Sequence, residues 1–424
     1  MEKFLRAVKF FIPKALFEAT QPAYHYLLAS IGALWYRFPS RKLYVVGVTG
    51  TKGKTTTVEL VAAICEEAGL RVALANTNQL KIAGRSEVNV KNQSMFGRTR
   101  LQQFLKKAVD ARCAYAVLEM TSEGAKQFRH AFIDLDALIF TNLSPEHIES
   151  HGSYENYVDA KVSLARTLEH GDASKHAIIV NRDDSEAGRF LAVRAGTKLS
   201  YGISDALPFT TDADGSEFAW RGEPIHLKLP GKFNIMNALA AATFAEGRGI
   251  STETIRSALE KFTFVSGRME RVDEGQNFSV IVDYAHTADS LDRALGVYAN
   301  AKKICIMGGT GGGRDVAKRK VMGGVADMHC EHIILTTEDP YDEDPGDIAR
   351  DVAEGIRDHS YEIILDRRAA LQRAFRMAEK GSAVFITGKG DNHYIMGPKG
   401  AMLPWNDASV AREELARLTN RNAG

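Results

Sequence analysis

The chain has 424 residues, of which 45% are hydrophobic and 25% are charged. These proportions are those of a globular protein, and the length predicts two or three domains. Lysine and arginine number 54 against 53 aspartate and glutamate residues, so the net charge is +1. This balance gives no argument for a nucleic-acid partner, which usually demands a basic face. The four cysteines form no C-x-x-C pair, so neither a zinc ribbon nor a redox motif is indicated.

Residues 10–36 are apolar and aromatic, but polar and charged positions interrupt them. The longest uncharged run, residues 20–36, is shorter than the ~20 apolar residues that a membrane-spanning helix needs. No small-residue cleavage site follows, so a signal peptide is not indicated and a cytoplasmic location is expected. The segment is either an interfacial amphipathic helix at a membrane or a helical arm packed on the first domain, the interpretation that we favour.

In the first half of the chain, short apolar runs alternate with segments that have a helical or loop pattern. Residues 42–48 predict a strand, and residues 55–68 predict a helix after it because their apolar side chains share one face. Further strands are predicted at 114–120, 137–140 and 177–180. This alternation is typical of a parallel α/β sheet.

The pattern changes near residue 198 and again after residue 267. Residues 198–230 are alternating and rich in turns, which predicts a small antiparallel appendage, and helices are predicted at 234–248 and 252–262. Five later strands alternate with helices, at 279–283, 303–307, 332–336, 362–365 and 383–387. The predicted fold is therefore α/β, with a P-loop central domain followed by a Rossmann-like doubly wound C-terminal domain. The predicted domains are a helical arm at 1–40, the central domain at 41–265 and the C-terminal domain at 266–424.

A glycine-rich turn, Gly47–Thr57 (GVTGTKGKTTT), joins the first predicted strand to its helix. Glycines let several backbone N–H groups face one anion, and the helix adds its positive N-terminal end. Lys54 would reach the terminal phosphates of a nucleotide, and Thr55 would bind their magnesium. The spacing of the glycines in this turn departs from the standard phosphate-loop pattern G-x-x-x-x-G-K-[ST], because Val48 occupies the position of its first glycine. The predicted ATP contacts in this loop are Gly50, Thr51, Gly53, Lys54, Thr55 and Thr56.

The strand predicted at 114–120 contains Glu119 at its end. Ligands gather at the carboxyl ends of parallel strands, and a carboxylate there suits magnesium. Thr121 and Ser122 follow Glu119 and are candidate substrate contacts.

Two stretches carry a resemblance to the Mur ligase family. Residues 50–56 resemble its G-T-N-G-K-T-T signature, with Lys52 in place of the usual Asn. Residues 142–152 are similar to its N-L-x-x-D-H-L-x-x-H-G stretch, with Glu146 in place of Asp. The resemblance covers nearly the whole chain after residue 40 and is closest to the tripeptide-forming members. It implies an ATP-dependent ligase that adds an amino acid to a peptidoglycan-precursor peptide through an acyl phosphate.

The resemblance also implies a site for two magnesium ions. His147 occupies the position of the family histidine that helps to hold the second ion. Residues 154–161 match the Y-x-x-A-K segment, which implies that Lys161 is carbamylated and so becomes an anion. The alternative is an ordinary solvated lysine. The implied catalytic residues are Lys54, Glu119, His147, Lys161 and Arg268, and the metal ligands are Thr55, Glu119, His147 and Lys161.

Further family motifs imply contacts to the nucleotide. The segments concerned resemble N-x-D-D, G-x-F-N-x-x-N-A, G-R-x-E and D-Y-A-H. Alternatively, the asparagines have only a structural role as helix caps or turn residues, because Asn is favoured at both kinds of position. An arginine suits the γ-phosphate, because its planar fork and permanent charge stabilise phosphoryl charge. The residues implied are Asn181, Asn234, Asn237, Arg268, Asp283 and His286.

Three departures from the family pattern bear on the substrates. Family members carry an N-terminal domain that binds the uridine nucleotide of the precursor, and the forty residues before the loop strand are too few for one. A lipid-linked acceptor, contacted through the N-terminal arm, is therefore an alternative to the uridine-linked one. Diaminopimelate-adding members have D-N-P-R and G-K-G-H-E where this chain has EDPY (338–341) and GKGDN (388–392). Diaminopimelate specificity is thus not expected, and the predicted amino-acid contacts are Glu338, Asp339, Tyr341, Asp391 and Asn392.

Other functions remain as alternatives. One is a related ligase of the folylpolyglutamate or cyanophycin type, acting on another carboxylate. A second is an amidating ligase subunit, but that class carries a four-cysteine zinc ribbon, which is not found here. The third is a non-catalytic nucleotide-binding partner protein, which would be expected to lose Lys54, Glu119, His147 or Lys161.

Overall fold

The computed structural model describes residues 14–90, 92–146, 148–313 and 316–422. The chain forms two compact units. The first contains the residues up to Leu207 together with Ala219–Glu223 and Met236–Lys261, and the second contains Pro208–Phe218, Pro224–Ile235 and the residues from Phe262 onward. The domain boundaries at 40 and 265 stay predictions from the sequence.

An eight-stranded sheet forms the centre of the first unit, in the order β4-β3-β2-β5-β1-β6-β7-β8. Six strands run parallel, and β3 and β4 form an antiparallel edge. Its inner strands are almost completely buried, as expected of a parallel sheet covered on both faces. The strands are β1 (Tyr44–Thr49), β2 (Val72–Ala75), β3 (Gln79–Ile82), β4 (Arg85–Val88), β5 (Tyr115–Glu119), β6 (Ala137–Phe140), β7 (Ala177–Asn181) and β8 (Thr197–Tyr201).

Nine helices precede residue 262 in the described ranges. They are α1 (Lys14–Trp35), α2 (Lys54–Glu67), α3 (Arg98–Asp110), α4 (Ser122–Lys126), α5 (Ile148–His151), α6 (Tyr154–Arg166), α7 (Ala187–Leu191), α8 (Lys232–Gly247) and α9 (Thr252–Lys261). Side-chain caps begin α4 and α6: the Ser153 hydroxyl, for example, accepts from the Asn156 N–H at 3.1 Å at the start of α6. Short 3₁₀ turns lie at Pro39–Lys42, Thr167–Glu169, Ala173–Lys175, Ile203–Ala206 and Pro398–Gly400.

Helix α1 packs on α3 through small residues. Ala29 and Ala33 are buried, and a Cβ atom on Gly32 would lie 3.2 Å from the Thr99 backbone. The Tyr26 ring also lies 5.0 Å from that of Phe132. Within the part of the chain that the structure describes, no helix combines the length and apolarity required to cross a membrane.

The second unit is built on a six-stranded sheet in the order β12-β13-β17-β14-β15-β16. All pairs are parallel except β12 with β13. Consecutive residues of a strand point to opposite faces of the sheet, and Ile281 and Val282 of one strand belong to two different core clusters. Both faces of the sheet are therefore covered. The strands are β12 (Glu270–Arg271), β13 (Ser279–Asp283), β14 (Lys303–Met307), β15 (His332–Leu335), β16 (Ser360–Ile363) and β17 (Ala383–Thr387).

The remaining elements complete the chain. Helices of the second unit are α10 (Ala288–Gly296), α11 (Val316–His329), α12 (Pro345–Ala353), α13 (Arg367–Met377) and α14 (Asp407–Asn422), with a hairpin of β18 (Tyr394–Met396) and β19 (Met402–Pro404). A separate three-stranded sheet contains β9 (Phe209–Thr211), β10 (Ser216–Trp220) and β11 (Glu223–Leu227), and β9 and β10 pair antiparallel.

The predicted α/β fold class is confirmed, and several strand bounds differ from the prediction. Strands β2, β3, β4, β8 and β12 were not predicted: β3, β4 and β8 are largely unburied, β12 has two residues, and β2 is an apolar run as long as β6 that was overlooked. The prediction of an antiparallel appendage from residue 198 is wrong at its start, because β8 pairs parallel with β7 at the edge of the eight-stranded sheet. Strand β16 begins at Ser360 and not at residue 362. It is an edge strand with mostly exposed side chains, so the apolar run marks only its end.

Candidate active site

The phosphate loop lies between β1 and α2 and depends on two glycines. Gly50 has a φ of +149° and Gly53 a φ of +82°, which L side chains rarely adopt. A Cβ atom on Gly50 would lie 1.9 Å from Thr141 Oγ1, and one on Gly53 would lie 2.2 Å from Asn237 Oδ1. Only glycine therefore allows this backbone to pass so close to its neighbours.

Asn142, just after β6, holds the loop in one conformation. Its backbone carbonyl accepts from the Thr51 N–H at 2.8 Å. Its side-chain oxygen accepts from the Lys52 N–H at 3.0 Å, and its amide nitrogen donates to the Lys52 carbonyl at 3.0 Å. Loop amides held in this way are pre-organised for an anion, because no further ordering is required on binding.

Lys54 opens helix α2, and its ammonium donates to the Thr51 carbonyl at 2.9 Å. The Thr51 hydroxyl lies 2.9 Å from the hydroxyl of Tyr157 on α6. The side chain of Lys54 is thus folded over the loop that the sequence predicts to bind phosphates.

Glu119 ends β5 beside the loop, because β1 and β5 are in parallel register with Val48 opposite Glu119. The side chain is buried, and its Oε2 atom accepts from the Thr55 hydroxyl at 2.9 Å. The same oxygen accepts from both the N–H and the hydroxyl of Thr77, each at 3.0 Å. A carboxylate and a hydroxyl in contact are the hard oxygen ligands that magnesium requires.

Lys161 of α6 is 2% exposed, and its amine donates to the Gly50 carbonyl at 2.7 Å. It also lies 4.8 Å above the Tyr157 ring. Burial, assisted by the positive charge of Lys54, holds the pKa of Lys161 well below its usual value. An amine of this kind is neutral and nucleophilic under conditions in which an exposed lysine is protonated.

The predicted asparagine contacts lie at three different places. Asn181 donates to the Thr141 carbonyl at 2.7 Å, which places it behind the loop. Asn237 accepts from the Thr57 hydroxyl at 3.4 Å and lies against Gly53. Asn234 donates to the Pro230 carbonyl at 2.8 Å at the start of α8. Their roles as nucleotide contacts stay predictions.

Two of the predicted substrate contacts near Glu119 have structural partners. The Thr121 hydroxyl caps α4 by accepting from the Gly124 N–H at 3.1 Å. The Ser122 hydroxyl lies 3.1 Å from the ring nitrogen of His151, and burial lowers the pKa of His151. His147, the predicted ligand of the second magnesium ion, lies outside the described residues. Within the described ranges, no three His, Cys, Asp or Glu side chains form a metal cluster.

In the second unit, Arg268 and Asp283 lie near Tyr284. The Arg268 guanidinium is 4.3 Å from the centre of the Tyr284 ring. Asp283 accepts from the N–H groups of Met269 at 2.7 Å and Ala285 at 2.8 Å. Burial raises the pKa of Asp283, although the charge of Arg268 opposes the shift. The His286 ring nitrogen lies 2.7 Å from the Tyr284 carbonyl.

The predicted amino-acid contacts of the 338–341 segment are tied into the second unit. Glu338 accepts from the Thr310 hydroxyl at 3.0 Å. Asp339 accepts from the fully buried Lys389 at 2.6 Å and from the Met396 N–H at 2.7 Å. Tyr341 has a φ of +52°, and its N–H donates to the Met396 carbonyl at 3.1 Å. Asp339 is therefore already neutralised by a lysine of the same unit.

Asp391 and Asn392 lie in the turn after β17. The Asp391 carboxylate accepts from the Ser266 hydroxyl at 2.7 Å, and burial raises the pKa of Asp391. The Asn392 N–H donates to the Lys389 carbonyl at 2.9 Å. Contact of either residue with an incoming amino acid stays a prediction.

Sequence reasoning missed Thr77 and Tyr157. Thr77 donates two hydrogen bonds to Glu119, and Tyr157 contacts Thr51. The signal for Thr77 is the Asn-Thr-Asn turn that follows the short apolar run of β2, at the same sheet edge as Glu119. For Tyr157, the signal is its position four residues before Lys161, on the same face of α6.

Comparisons with known proteins identify the family of the chain. The sequence model of the Mur ligase middle domain matches residues 48–245, and that of the Mur ligase glutamate ligase domain matches residues 267–390. A UDP-N-acetylmuramoyl-L-alanyl-D-glutamate--2,6-diaminopimelate ligase of Syntrophomonas wolfei is 36% identical over 412 residues, covering 93% of this chain and 83% of that protein. A UDP-N-acetylmuramyl-tripeptide synthetase of Roseiflexus sp. is 35% identical, with coverages of 92% and 82%. The chain belongs to the Mur ligase family.

Solved structures give the same result. A UDP-N-acetylmuramoyl-L-alanyl-D-glutamate--2,6-diaminopimelate ligase superposes with a TM-score of 0.62 at 26% identity, covering 89% of this chain and 79% of that one. The folylpolyglutamate synthase of Mycobacterium tuberculosis has a TM-score of 0.68 at 15% identity, with coverages of 86% and 92%, which shows the fold alone. The family adds amino acids to peptidoglycan precursors in an ATP-dependent manner, so the prediction of an ATP-dependent ligase that forms carbon–nitrogen bonds is confirmed.

The two replaced family positions form an ion pair with each other. Lys52 stands in place of Asn and Glu146 in place of Asp, and the lysine ammonium lies 2.8 Å from the glutamate carboxylate. Both side chains are at least three-quarters buried, so solvent screens the pair only partly. The charge that Lys52 introduces is therefore balanced by the carboxylate at position 146, where glutamate has the same charge as the family aspartate and a side chain longer by one methylene group.

We expect the variants Lys52→Asn and Glu146→Asp each to lower kcat/KM, and the double variant to recover part of the loss. Lys52→Asn removes the cation beside Glu146, and Glu146→Asp draws the carboxylate back from Lys52 by one methylene group, whereas the double variant restores the family pattern. A coupling of about 1 kcal/mol, or roughly fivefold in kcat/KM, is expected for a partly buried pair. Phosphate-release kinetics on all four proteins measure it. Lys81→Asn, which breaks the pair with Glu66 away from the loop, is the matched control, and strictly additive effects would contradict the coupling.

Proposed function

We propose that the chain adds an amino acid to a carboxylate of a peptidoglycan-precursor peptide, using ATP and passing through an acyl phosphate. The observation that carries the proposal is the contact of the phosphate loop with Glu119 and Lys161 in the first unit. An anion-binding loop beside a buried carboxylate and a buried amine supplies what phosphoryl transfer to a carboxylate needs: positioning and charge neutralisation.

The residues present fit a nucleotide and magnesium. Gly50 and Gly53 bring the backbone close to the place of the phosphates, and Lys54 and Thr55 stand at the start of α2. Thr55 and Glu119 would hold one magnesium ion, and His147 with a carbamylated Lys161 would hold the second. The ions would neutralise the phosphates and the developing charge. Arg268, Asp283 and His286 are proposed as further nucleotide contacts.

The environment of Lys161 supports carbamylation. Carbon dioxide reacts with a neutral amine to give a carbamate and a proton, and burial, which lowers the pKa of Lys161, favours the neutral form of the amine. Burial disfavours the ammonium, whereas the carbamate anion gains the nearby charges of Lys52 and Lys54. The product is a second carboxylate-like ligand beside Glu119.

The acceptor is proposed to be a muropeptide-like carboxylate, with uridine-linked and lipid-linked forms as its two sources. Helix α1 supports the lipid-linked form, because its apolar side chains at helical spacing are exposed on one side. These exposed residues are Leu27, Ile31, Leu34 and Trp35. Peripheral contact of this arm with a lipid surface, and a cytoplasmic location, are parts of the same proposal.

We expect ATP-dependent phosphate release only when an amino acid and a muropeptide acceptor are both present. A panel of acceptors with a uridine diphosphate handle, without a handle, and lipid-linked in vesicles identifies the acceptor class. Lys54→Ala should abolish release without changing the melting temperature, because Lys54 faces the loop and not the core. Release that needs no muropeptide, or full activity in Lys54→Ala, would contradict the proposed function.

Lys161→Ala should lose activity and regain part of it with added short-chain carboxylic acids. Such acids can enter the vacated space and supply the missing anion beside the loop. Wild-type turnover should also fall when bicarbonate is depleted and recover when it is returned. Lys126→Ala is the control, since Lys126 is exposed and bonds only the Ser150 carbonyl in the described structure. Full activity of Lys161→Ala would show that the lysine is not a metal ligand.

The amino acid is proposed to be lysine-like or small, although several relatives are named as 2,6-diaminopimelate ligases. Tyr341 stands where the diaminopimelate-adding members have arginine and cannot make the bidentate contact with a distal carboxylate. The nearby Arg367 is an alternative partner, but it is buried and bound to Asp407 by two hydrogen bonds of 2.8 Å. Arg368 is paired with Glu413 and Glu414.

We expect competition kinetics to favour lysine or a small amino acid over meso-diaminopimelate, and Tyr341→Arg to shift the preference toward the latter. A missing charged contact typically costs ~2–5 kcal/mol, which is enough to reverse a preference between similar substrates. Tyr341→Phe is the control, because it removes the hydroxyl without adding charge. A clear wild-type preference for meso-diaminopimelate would show that other residues select the amino acid.

A further inference from the structure

A basic groove lies between α3 and the β3–β4 hairpin, at the edge of the eight-stranded sheet. Its cavity has a volume of about 540 Å³, within the range of small-molecule sites. Loop residues 50–56 do not line it. The groove is therefore separate from the proposed nucleotide site.

The walls of the groove carry a surplus of positive charge. Four cations, Arg71, Arg85, Arg100 and Lys107, line it with one carboxylate, Glu87, which leaves a charge of +3. Within the described ranges, none of these four cations makes an ion pair, in contrast to the neighbouring Lys106, which pairs with Asp110. Four cations that line one groove with a single carboxylate favour the binding of an anion.

The floor of the groove is apolar. Leu80 and Ile82 of β3 lie opposite Phe96 and Phe104 on the α3 side. The Arg100 guanidinium lies 4.4 Å from the centre of the Phe96 ring, so it stacks on the floor with its edge available for hydrogen bonds. Cations beside an apolar surface match a ligand that has an anionic end and an apolar body.

We propose that this groove binds the diphosphate ester of an apolar alcohol. Arginine forks bind phosphate oxygens in pairs, and two adjacent phosphates can use cations from both walls. The apolar chain would cover Leu80 and Ile82, which are partly exposed, whereas Phe96 and Phe104 are already buried. An inorganic anion would leave that floor uncovered, and a nucleoside would place polar base edges on it. The inference does not rest on the proposed ligase activity.

Calorimetric titration of the full chain with geranyl diphosphate, at saturating magnesium and ADP, tests the proposal. The double variant Arg85→Gln/Lys107→Gln should weaken binding by at least about tenfold, since it removes two of the four cations. Lys106→Gln/Arg112→Gln removes the same charge outside the groove and should change Kd by less than about twofold. Binding should also weaken as salt rises. Matching melting temperatures exclude misfolding as the cause.

Three further arms use inorganic diphosphate, uridine diphosphate and a polyglutamate peptide. All three should bind more weakly than geranyl diphosphate, and Leu80→Ser should reduce the difference between geranyl diphosphate and inorganic diphosphate. The proposal is overturned if the two double variants bind geranyl diphosphate equally, or if inorganic diphosphate binds as tightly. It is also overturned if uridine diphosphate binds most tightly, or if only a polyglutamate peptide binds, which would indicate a nucleotide or an acidic protein segment instead.

Discussion

Positive charge around the phosphate loop is the constraint on which the first unit depends. Lys52, Lys54 and Lys161 all approach a loop built to bind an anion, and each is compensated differently. Lys54 donates to a loop carbonyl, Lys52 pairs with Glu146, and Lys161 is buried with a depressed pKa. Without these contacts and this burial, three protonated lysines would repel one another and oppose folding. The same arrangement would become favourable on binding of the phosphates that the loop is proposed to hold.

The eight-stranded sheet brings the groups of this site close together. Strands β1, β5 and β6 are neighbours in parallel register, so their carboxyl ends place the loop, Glu119 and Asn142 side by side. Asn142 holds the loop backbone by hydrogen bonds, and Thr77, which follows β2, donates to the carboxylate of Glu119. Each polar group is thus held by a neighbouring strand. The geometry of the site is a property of the rigid sheet and not of the loop alone.

The sequence predicts the elements whose signal is local. The strands Ser279–Asp283, Lys303–Met307 and Ala383–Thr387 have the predicted bounds, because each contains a run of at least three buried apolar residues. The phosphate loop and the carboxylate of Glu119 also follow from the local sequence. Strand β2 was overlooked although it is as long as the predicted β6, so Thr77 was not found with it. Pairings between distant residues, such as Lys161 with Gly50 or Lys389 with Asp339, leave no periodic signal in the chain.

The pair of Asp339 and Lys389 changes how the second unit would recognise an amino acid. The sequence assigns two carboxylates, Glu338 and Asp339, to an incoming amine, yet the charge of Asp339 is already balanced by a buried lysine. Glu338 has no lysine partner of this kind in the described part of the chain: it accepts from the Thr310 hydroxyl and lies against Gly388, where a Cβ atom would come within 2.4 Å of its carboxylate. Glycine at 388 therefore keeps room for Glu338, and this carboxylate is the stronger candidate to receive an ammonium group. Asp339 instead holds the turn that orients Tyr341, through its bond to the Met396 N–H.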